Sequence, residues 1–185
     1  MIDVTEARKG VTIELDGRLY TVIEYQHIKV GRGSAQVRLK LKDIRADHTI
    51  ERTFQSGERL NRVEITERPA QYLYQDGDFY YFMDQATFDQ IPLSNKMVGD
   101  ALGYLKEGMI VQLSRYEGET IGIGLPITVE LEISDTGPAF KGDTATSGTK
   151  PATLETGIMV QVPMFLKTGD VVRVDTRKGT YVERA

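Results

Sequence analysis

The chain has no cysteine and no tryptophan among its 185 residues. Without cysteine there is no disulfide framework, no thiolate nucleophile and no cysteine ligand for zinc, and a reducing compartment is the natural setting. Only two histidines occur, His27 and His48, each in polar surroundings with no nucleophile beside it in sequence. A Gly-x-Ser-x-Gly elbow, a His-Glu-x-x-His pair and a Walker loop are all missing. Nowhere do roughly 18 apolar residues run together, as a bilayer-spanning helix requires. The first residues, Met1-Ile2-Asp3-Val4-Thr5-Glu6-Ala7-Arg8, carry charge where a signal peptide would be apolar. These absences lead to the expectation of a cytoplasmic protein off the membrane, working without catalytic residues, metal or cofactor.

What is present is ordinary in amount, 40% hydrophobic and 27% charged residues, so the chain folds as a globular protein. The net charge of −4 argues against indiscriminate nucleic-acid binding, but the charge is unevenly spread. Residues 1–64 hold 12 Lys and Arg against 10 Asp and Glu, residues 65–127 hold 4 against 9, and residues 128–185 hold 7 against 8. This is either chance or a bipolar molecule whose basic end is directed at phosphates.

Most of the chain reads in period two, the periodicity of half-buried strands. Val11-Thr12-Ile13-Glu14-Leu15 is followed by Asp16-Gly17, a two-residue hairpin turn, and then by Leu19-Tyr20-Thr21-Val22-Ile23. Ala35, Val37, Leu39 and Leu41 alternate with Gln36, Arg38, Lys40 and Lys42, which predicts a strand with a basic outer face. Asp76-Gly77 separates Tyr72 and Tyr74 from Phe79-Tyr80-Tyr81-Phe82-Met83; Asp76 and Asp78 shape that turn rather than bind metal. Alternation returns at residues 129–133 and 171–174. Turn signals recur about every 8–12 residues, the spacing of small barrels. A single helix is predicted over residues 94–105, with Ser94 as N-cap and Met97, Ala101 and Leu105 in one row. Residues 108–113 echo residues 157–162 (Gly-Met-Ile-Val-Gln-Leu against Gly-Ile-Met-Val-Gln-Val), a weak sign of a repeated unit. The reading is all-β, three small barrels in tandem: 1–64, 65–127 and 128–185.

Two segments call for a function. In Lys29-Val30-Gly31-Arg32-Gly33-Ser34, glycines on both sides of Arg32 let the backbone turn sharply and leave the guanidinium at the tip. Such a fork grips phosphate or stacks on a base, or else is a solvated arginine on a plain turn. Residues 136–149 form a long segment holding Gly142-Asp143-Thr144, either a functional loop or an inert connection.

The run Lys150-Pro151-Ala152-Thr153-Leu154-Glu155-Thr156-Gly157 continues through Val160, Val162, Pro163, Leu166 and Gly169. It resembles the C-terminal signature of bacterial translation elongation factor P. Gly142-Asp143-Thr144, Tyr72 with Tyr74, the run Tyr80 through Asp84, and the Lys29 loop extend the likeness over the whole chain, in that family's order. The resemblance implies an SH3-like N-terminal barrel followed by two oligonucleotide-binding (OB) barrels. It implies a monomer with a tRNA-like outline, docked between the peptidyl and exit sites of the ribosome, that rescues synthesis stalled at consecutive prolines. By position, Arg32 reaches the peptidyl-transferase centre and the end of peptidyl-tRNA, supported by Lys29, Gly31 and Gly33. Gly142, Asp143 and Thr144 face the small subunit, and Tyr181 and Arg184 lie near tRNA. Relatives with proline where Val30 stands, or with a modified lysine where Arg32 stands, differ from this chain. Arg32 rules out lysine chemistry at that atom and implies, as a further partner, an arginine-modifying glycosyltransferase that adds rhamnose.

Three alternatives make distinct predictions. A general single-stranded RNA binder, suggested by the basic strand and by Tyr72, Tyr74, Tyr80 and Tyr81, binds short oligonucleotides with steep salt dependence. The hypusine-bearing eukaryotic and archaeal relative has two domains rather than three. A hydrolase on a barrel scaffold turns over a substrate and loses that activity with one carboxylate.

Overall fold

A computed structural model describes the chain except for Val30, Arg32, Asp47 and residues 139–147. The chain divides into two compact units, Met1–Glu67 with Ser114–Gly122, and Arg68–Leu113 with Ile123–Ala185. It is nearly all strand, arranged as three antiparallel, barrel-like sheets.

The first sheet contains β1 (Ile2–Asp3), β2 (Thr12–Leu15), β3 (Arg18–Ile28), β4 (Gln36–Asp43), β5 (Thr49–Gln55) and β6 (Arg59–Arg62), in the order β1-β6-β2-β3-β4-β5. Leu15 pairs with Arg18, which leaves Asp16 and Gly17 as the loop. Their φ angles, 52° and 73°, are both left-handed, as in the turn whose twist matches that of the flanking strands. Along β4 the expected alternation is present: Val37, Leu39 and Leu41 are fully buried, with Val4, Ile13, Val22, Phe54 and Leu60 around them.

The second sheet, from β7 (Thr66–Asp76), β8 (Phe79–Asp84), β9 (Gln90–Ser94), β10 (Ile110–Tyr116) and β11 (Glu119–Gly124), runs β11-β10-β7-β8-β9. The third, from β12 (Thr128–Thr136), β13 (Thr149–Leu154), β14 (Met159–Pro163), β15 (Val171–Asp175) and β16 (Thr180–Arg184), runs β14-β13-β12-β15-β16. Both place the first strand in the centre, the second and third on one side and the fourth and fifth on the other. The repeat therefore lies in topology. The echoed hexapeptides do not align with it, since one leads into the fourth strand of its sheet and the other into the third. They look alike because each starts on a left-handed glycine (Gly108 at 84°, Gly157 at 91°) and then buries alternate residues.

Two turns differ from the sequence reading. Asp76 pairs with Phe79, so the second hairpin loop is Gly77-Asp78, with the left-handed residue first. The helix is only α1 (Asn95–Val98), followed by a 3-10 turn over Gly99–Gly103. Ser94 caps it as expected, accepting from the Met97 N–H at 3.3 Å, but Gly99 at φ 52° ends it.

The same device closes one hairpin in each sheet. Asp43, Asp84 and Asp175 end β4, β8 and β15, and they are buried to 3%, 2% and 8% exposure. One carboxylate oxygen of each accepts from two backbone N–H groups further on. These are Arg45 and Ala46 (both 2.8 Å), Ala86 and Thr87 (2.8 and 3.0 Å), and Arg177 and Lys178 (2.8 and 3.3 Å). An arginine stands by the other oxygen: Arg18 at 3.7 Å, Arg68 at 3.8 Å and Arg177 at 2.8 Å. Two of these loops end on a left-handed residue, Phe88 at 61° and Gly179 at 65°. Burial raises the Asp43 carboxyl, but the N–H groups of Ala46 and Arg45 outweigh it and hold the group below its ordinary value. The Arg177 side chain, with its own N–H, brings Asp175 down to about 2.

Within the second unit, the segment after α1 docks on the last barrel. Thr156 Oγ1 donates to the Gly103 carbonyl at 2.5 Å, and Lys106 pairs with Glu155 at 2.9 Å. Tyr104 and Met109 pack against the last core. A Cβ on Gly103 would stand 2.5 Å from Ile158 Cγ2, so glycine alone permits this approach.

Two predictions follow from these contacts. Gly103→Ala destabilises by about 1–3 kcal/mol in urea unfolding, and Gly103→Ala/Ile158→Ala loses less than the sum of the single changes because the clash is gone. Asp175 has a depressed folded pKa, so its stabilisation is complete above the pH where the unfolded carboxyl ionises. It is lost as pH falls from about 4 through about 2. Acid titration of stability should therefore be flatter over that window in Asp175→Asn, from a lower starting value.

Candidate functional site

The β3–β4 hairpin is the longest projection of the first sheet. Its ladder continues from Tyr20 opposite Asp43 to Ile28 opposite Gln36, interrupted by one irregularity between Val22 and Glu24. Beyond it, Lys29, Gly31 and Gly33 are all exposed. Gly31 has φ 41°, and a Cβ there would meet nothing within 4 Å, so its glycine serves the turn rather than a packing contact. The Ser56 N–H donates to the Ala35 carbonyl at 2.9 Å, tying the hairpin to the residue that follows β5. Arg32 and Val30 lie outside the described residues. The structure thus supplies the base of the tip, with its lysine and both glycines in the open.

The outer face of β4 is less uniformly basic than its sequence suggests. Lys40 has Glu24 opposite it on β3 and Glu51 opposite it on β5, whereas Arg38 has Gln26 and Thr53. These side chains, Thr53 excepted, line a small cleft of about 70 Å³. His27 is exposed on the hairpin, and Arg8 lies 4.0 Å over the Tyr25 ring. His48 makes an edge contact with Tyr20 at 6.5 Å.

At the other candidate loop the structure describes the stem. Ser134 Oγ donates to the Thr153 carbonyl at 3.0 Å and Thr136 Oγ1 to that of Pro151 at 3.1 Å. Lys150 is 7% exposed, and its Nζ donates to the Gly137 carbonyl at 2.6 Å. Gly142, Asp143 and Thr144 lie outside the described residues. Sequence reading picked Lys150 out as a signature residue but missed its task, the bracing of this stem; its alternation with buried Ala152 and Leu154 was the available signal.

Tyr181 is half-buried against the last core, and Arg184 pairs with Asp170 at 3.0 Å. Tyr80 is buried and Tyr72 half-buried, while Tyr74 stacks on Tyr81 with centroids 4.9 Å apart. Tyr72 and Tyr80 are thus packing groups, and Tyr74 and Tyr81 form a stacked pair at the surface. Asp76 and Asp78 are exposed at a hairpin end, and no group of three or more potential metal ligands occurs among the described residues. No helix among those residues is long and apolar enough to cross a membrane.

Comparison with known proteins matches each sheet to a described domain. Residues 3–60 match the elongation factor P KOW-like domain, residues 65–123 its OB domain and residues 129–184 its C-terminal domain. The chain belongs to the elongation factor P family. Elongation factor P of Moorella thermoacetica is 56% identical over 185 residues, and that of Caldanaerobacter subterraneus subsp. tengcongensis is 51% identical over 184; both chains are covered in full. The factor is accordingly a translation elongation factor of protein biosynthesis. Among solved structures, translation initiation factor 5A from Methanococcus jannaschii shares the fold with a TM-score of 0.56 at 21% identity. That likeness covers 93% of the initiation factor but 67% of this chain, so about a third of the elongation factor has no counterpart there.

Lys150→Met should leave the Gly137 carbonyl without its donor. The expected result is a loss of about 1 kcal/mol in urea unfolding, with faster amide exchange at Thr136 and Gly137 than in the wild type.

Proposed function

We propose that this factor binds the ribosome between the peptidyl and exit sites and stimulates peptide-bond formation at consecutive prolines. The observation that carries the reading is the exposure of Lys29, Gly31 and Gly33 at the end of a laddered hairpin in a chain of this family. Proline fixes φ and offers a hindered secondary amine, so the reactive geometry is rarely sampled. A protein that holds the end of peptidyl-tRNA lowers an entropic barrier without supplying a general base. In this reading Arg32 is the contact at the reaction centre, with Lys29, Gly31 and Gly33 setting its approach.

The three barrels, 1–64, 65–127 and 128–185, divide the labour. The first carries the tip. The last carries Gly142, Asp143 and Thr144 toward the small subunit, on a stem braced by Lys150, with Tyr181 and Arg184 on the tRNA side. The factor works as a cytoplasmic monomer, with ribosomal RNA, ribosomal proteins and peptidyl-tRNA as partners, and a glycosyltransferase is the partner that would modify Arg32. It has no catalytic residue of its own.

A purified translation system making a reporter with three consecutive prolines tests this. Wild type should relieve the stall, and Arg32→Ala should lose most of that relief while melting at the same temperature. A proline-free reporter should respond to neither. Tight binding to free oligonucleotides without effect on the stall would instead identify a general RNA binder.

A further inference from the structure

Three cations, Arg38, Lys40 and Lys42, alternate along the outer face of β4, and the two nearer the tip, Arg38 and Lys40, have different surroundings. Directly opposed side chains on neighbouring strands have Cβ atoms about 4.5–5.5 Å apart, and diagonal ones about 7–8 Å. Lys40 is opposed by a glutamate on each side, Glu24 and Glu51, so its charge is balanced within the sheet. Arg38 is one rung nearer the tip and is opposed by Gln26 and Thr53, both uncharged. The next outward rung is Gln36 with Ile28 and Gln55, where the nearby Glu58 carboxylate is engaged by the Gln55 N–H at 2.6 Å. Glu24 and Glu51 are both diagonal to Arg38 and line one cleft with it; Glu24 Oε1 accepts from Gln26 Nε2 at 2.8 Å, and neither carboxylate pairs with Arg38. Arg38 is exposed and makes no ion pair among the described residues.

We propose that Arg38 is a phosphate-binding residue of the tip hairpin and that Lys40, despite its place in the same basic row, is not. Charge along the hairpin is graded. The Lys40 rung holds two carboxylates beside its cation and the Arg38 rung holds none, so of the two it is the Arg38 rung that offers a polyanion net attraction. The guanidinium presents a planar fork of donors that matches two phosphate oxygens at once, and among the described residues no acceptor is bonded to it. The inference rests on the functional reading above and adds a second contact to it.

The test compares Arg38→Gln with Lys40→Gln in binding to purified ribosomes at several salt concentrations. Each phosphate contact contributes about 0.7–0.9 to the slope of log affinity against log salt. Arg38→Gln should weaken binding about tenfold at low salt and lower that slope by about one contact. Lys40→Gln should change affinity less than about twofold, with the slope unaltered. Arg38→Lys should restore the slope but not the full affinity. Ribosomes with and without peptidyl-tRNA separate the sources. A deficit confined to the loaded ribosomes assigns the phosphate to tRNA, and a deficit in both assigns it to ribosomal RNA; either supports the proposal. Wild-type binding with a silent Arg38→Gln, or equal effects of the two variants, overturns it. Absence of wild-type binding removes the functional reading and this inference together.

Discussion

A buried carboxylate at the end of a strand is costly unless its oxygens are satisfied, and here that requirement organises one hairpin in each of the three sheets. Asp43, Asp84 and Asp175 each gather two N–H groups from the following loop and an arginine, so the loop is folded around the charge rather than merely connecting two strands. Because register in a hairpin is set by its turn, a turn built on a buried charge also fixes which residues of the next strand face the core. The alternating buried residues of each sheet specify the same register, since a slip by one residue would turn them outward. The left-handed φ at Phe88 shows the strength of the constraint. That conformation is unfavourable for a phenylalanine, yet the loop imposes it at a residue left 70% exposed.

The candidate site depends on the same logic carried outward. The β3–β4 ladder that leads to Lys29 is flanked by β5 along the whole of β4 and by β2 only at its base, from Arg18 to Thr21. The strand beneath the tip sorts its charges by register, with glutamates opposite Lys40 and neutral residues opposite Arg38. The chain's net charge of −4 argues against general adhesion to nucleic acid.

In the second unit, precision comes from close contact. Gly103 lets the segment after the short helix lie against Ile158, and Thr156, the Lys106–Glu155 pair and Tyr104 hold it there. Lys150, the only buried cation among the described residues, braces the stem of the loop that holds Gly142 to Thr144 in sequence.

Much was legible in the sequence because it is written locally. Period-two alternation marked the strands around Val37, Leu39 and Leu41 and around Val129, Leu131 and Ile133, and Asp16-Gly17 announced its hairpin. The family was readable because the run from Lys150 to Gly169 is contiguous and specific. The tertiary structure decided what depends on partners far away in the chain. The row of i, i+4 apolar residues after Ser94 predicted three helical turns, but one glycine in the left-handed region ended the helix after the first. Six echoed residues suggested equivalence, and strand order assigned them to different places. Nothing near Asp43, Asp84 or Asp175 marked them as buried, and nothing near Lys40 showed the glutamates that balance it. Propensity and alternation are properties of neighbours, whereas burial, register and charge balance belong to pairs that only the folded chain brings together.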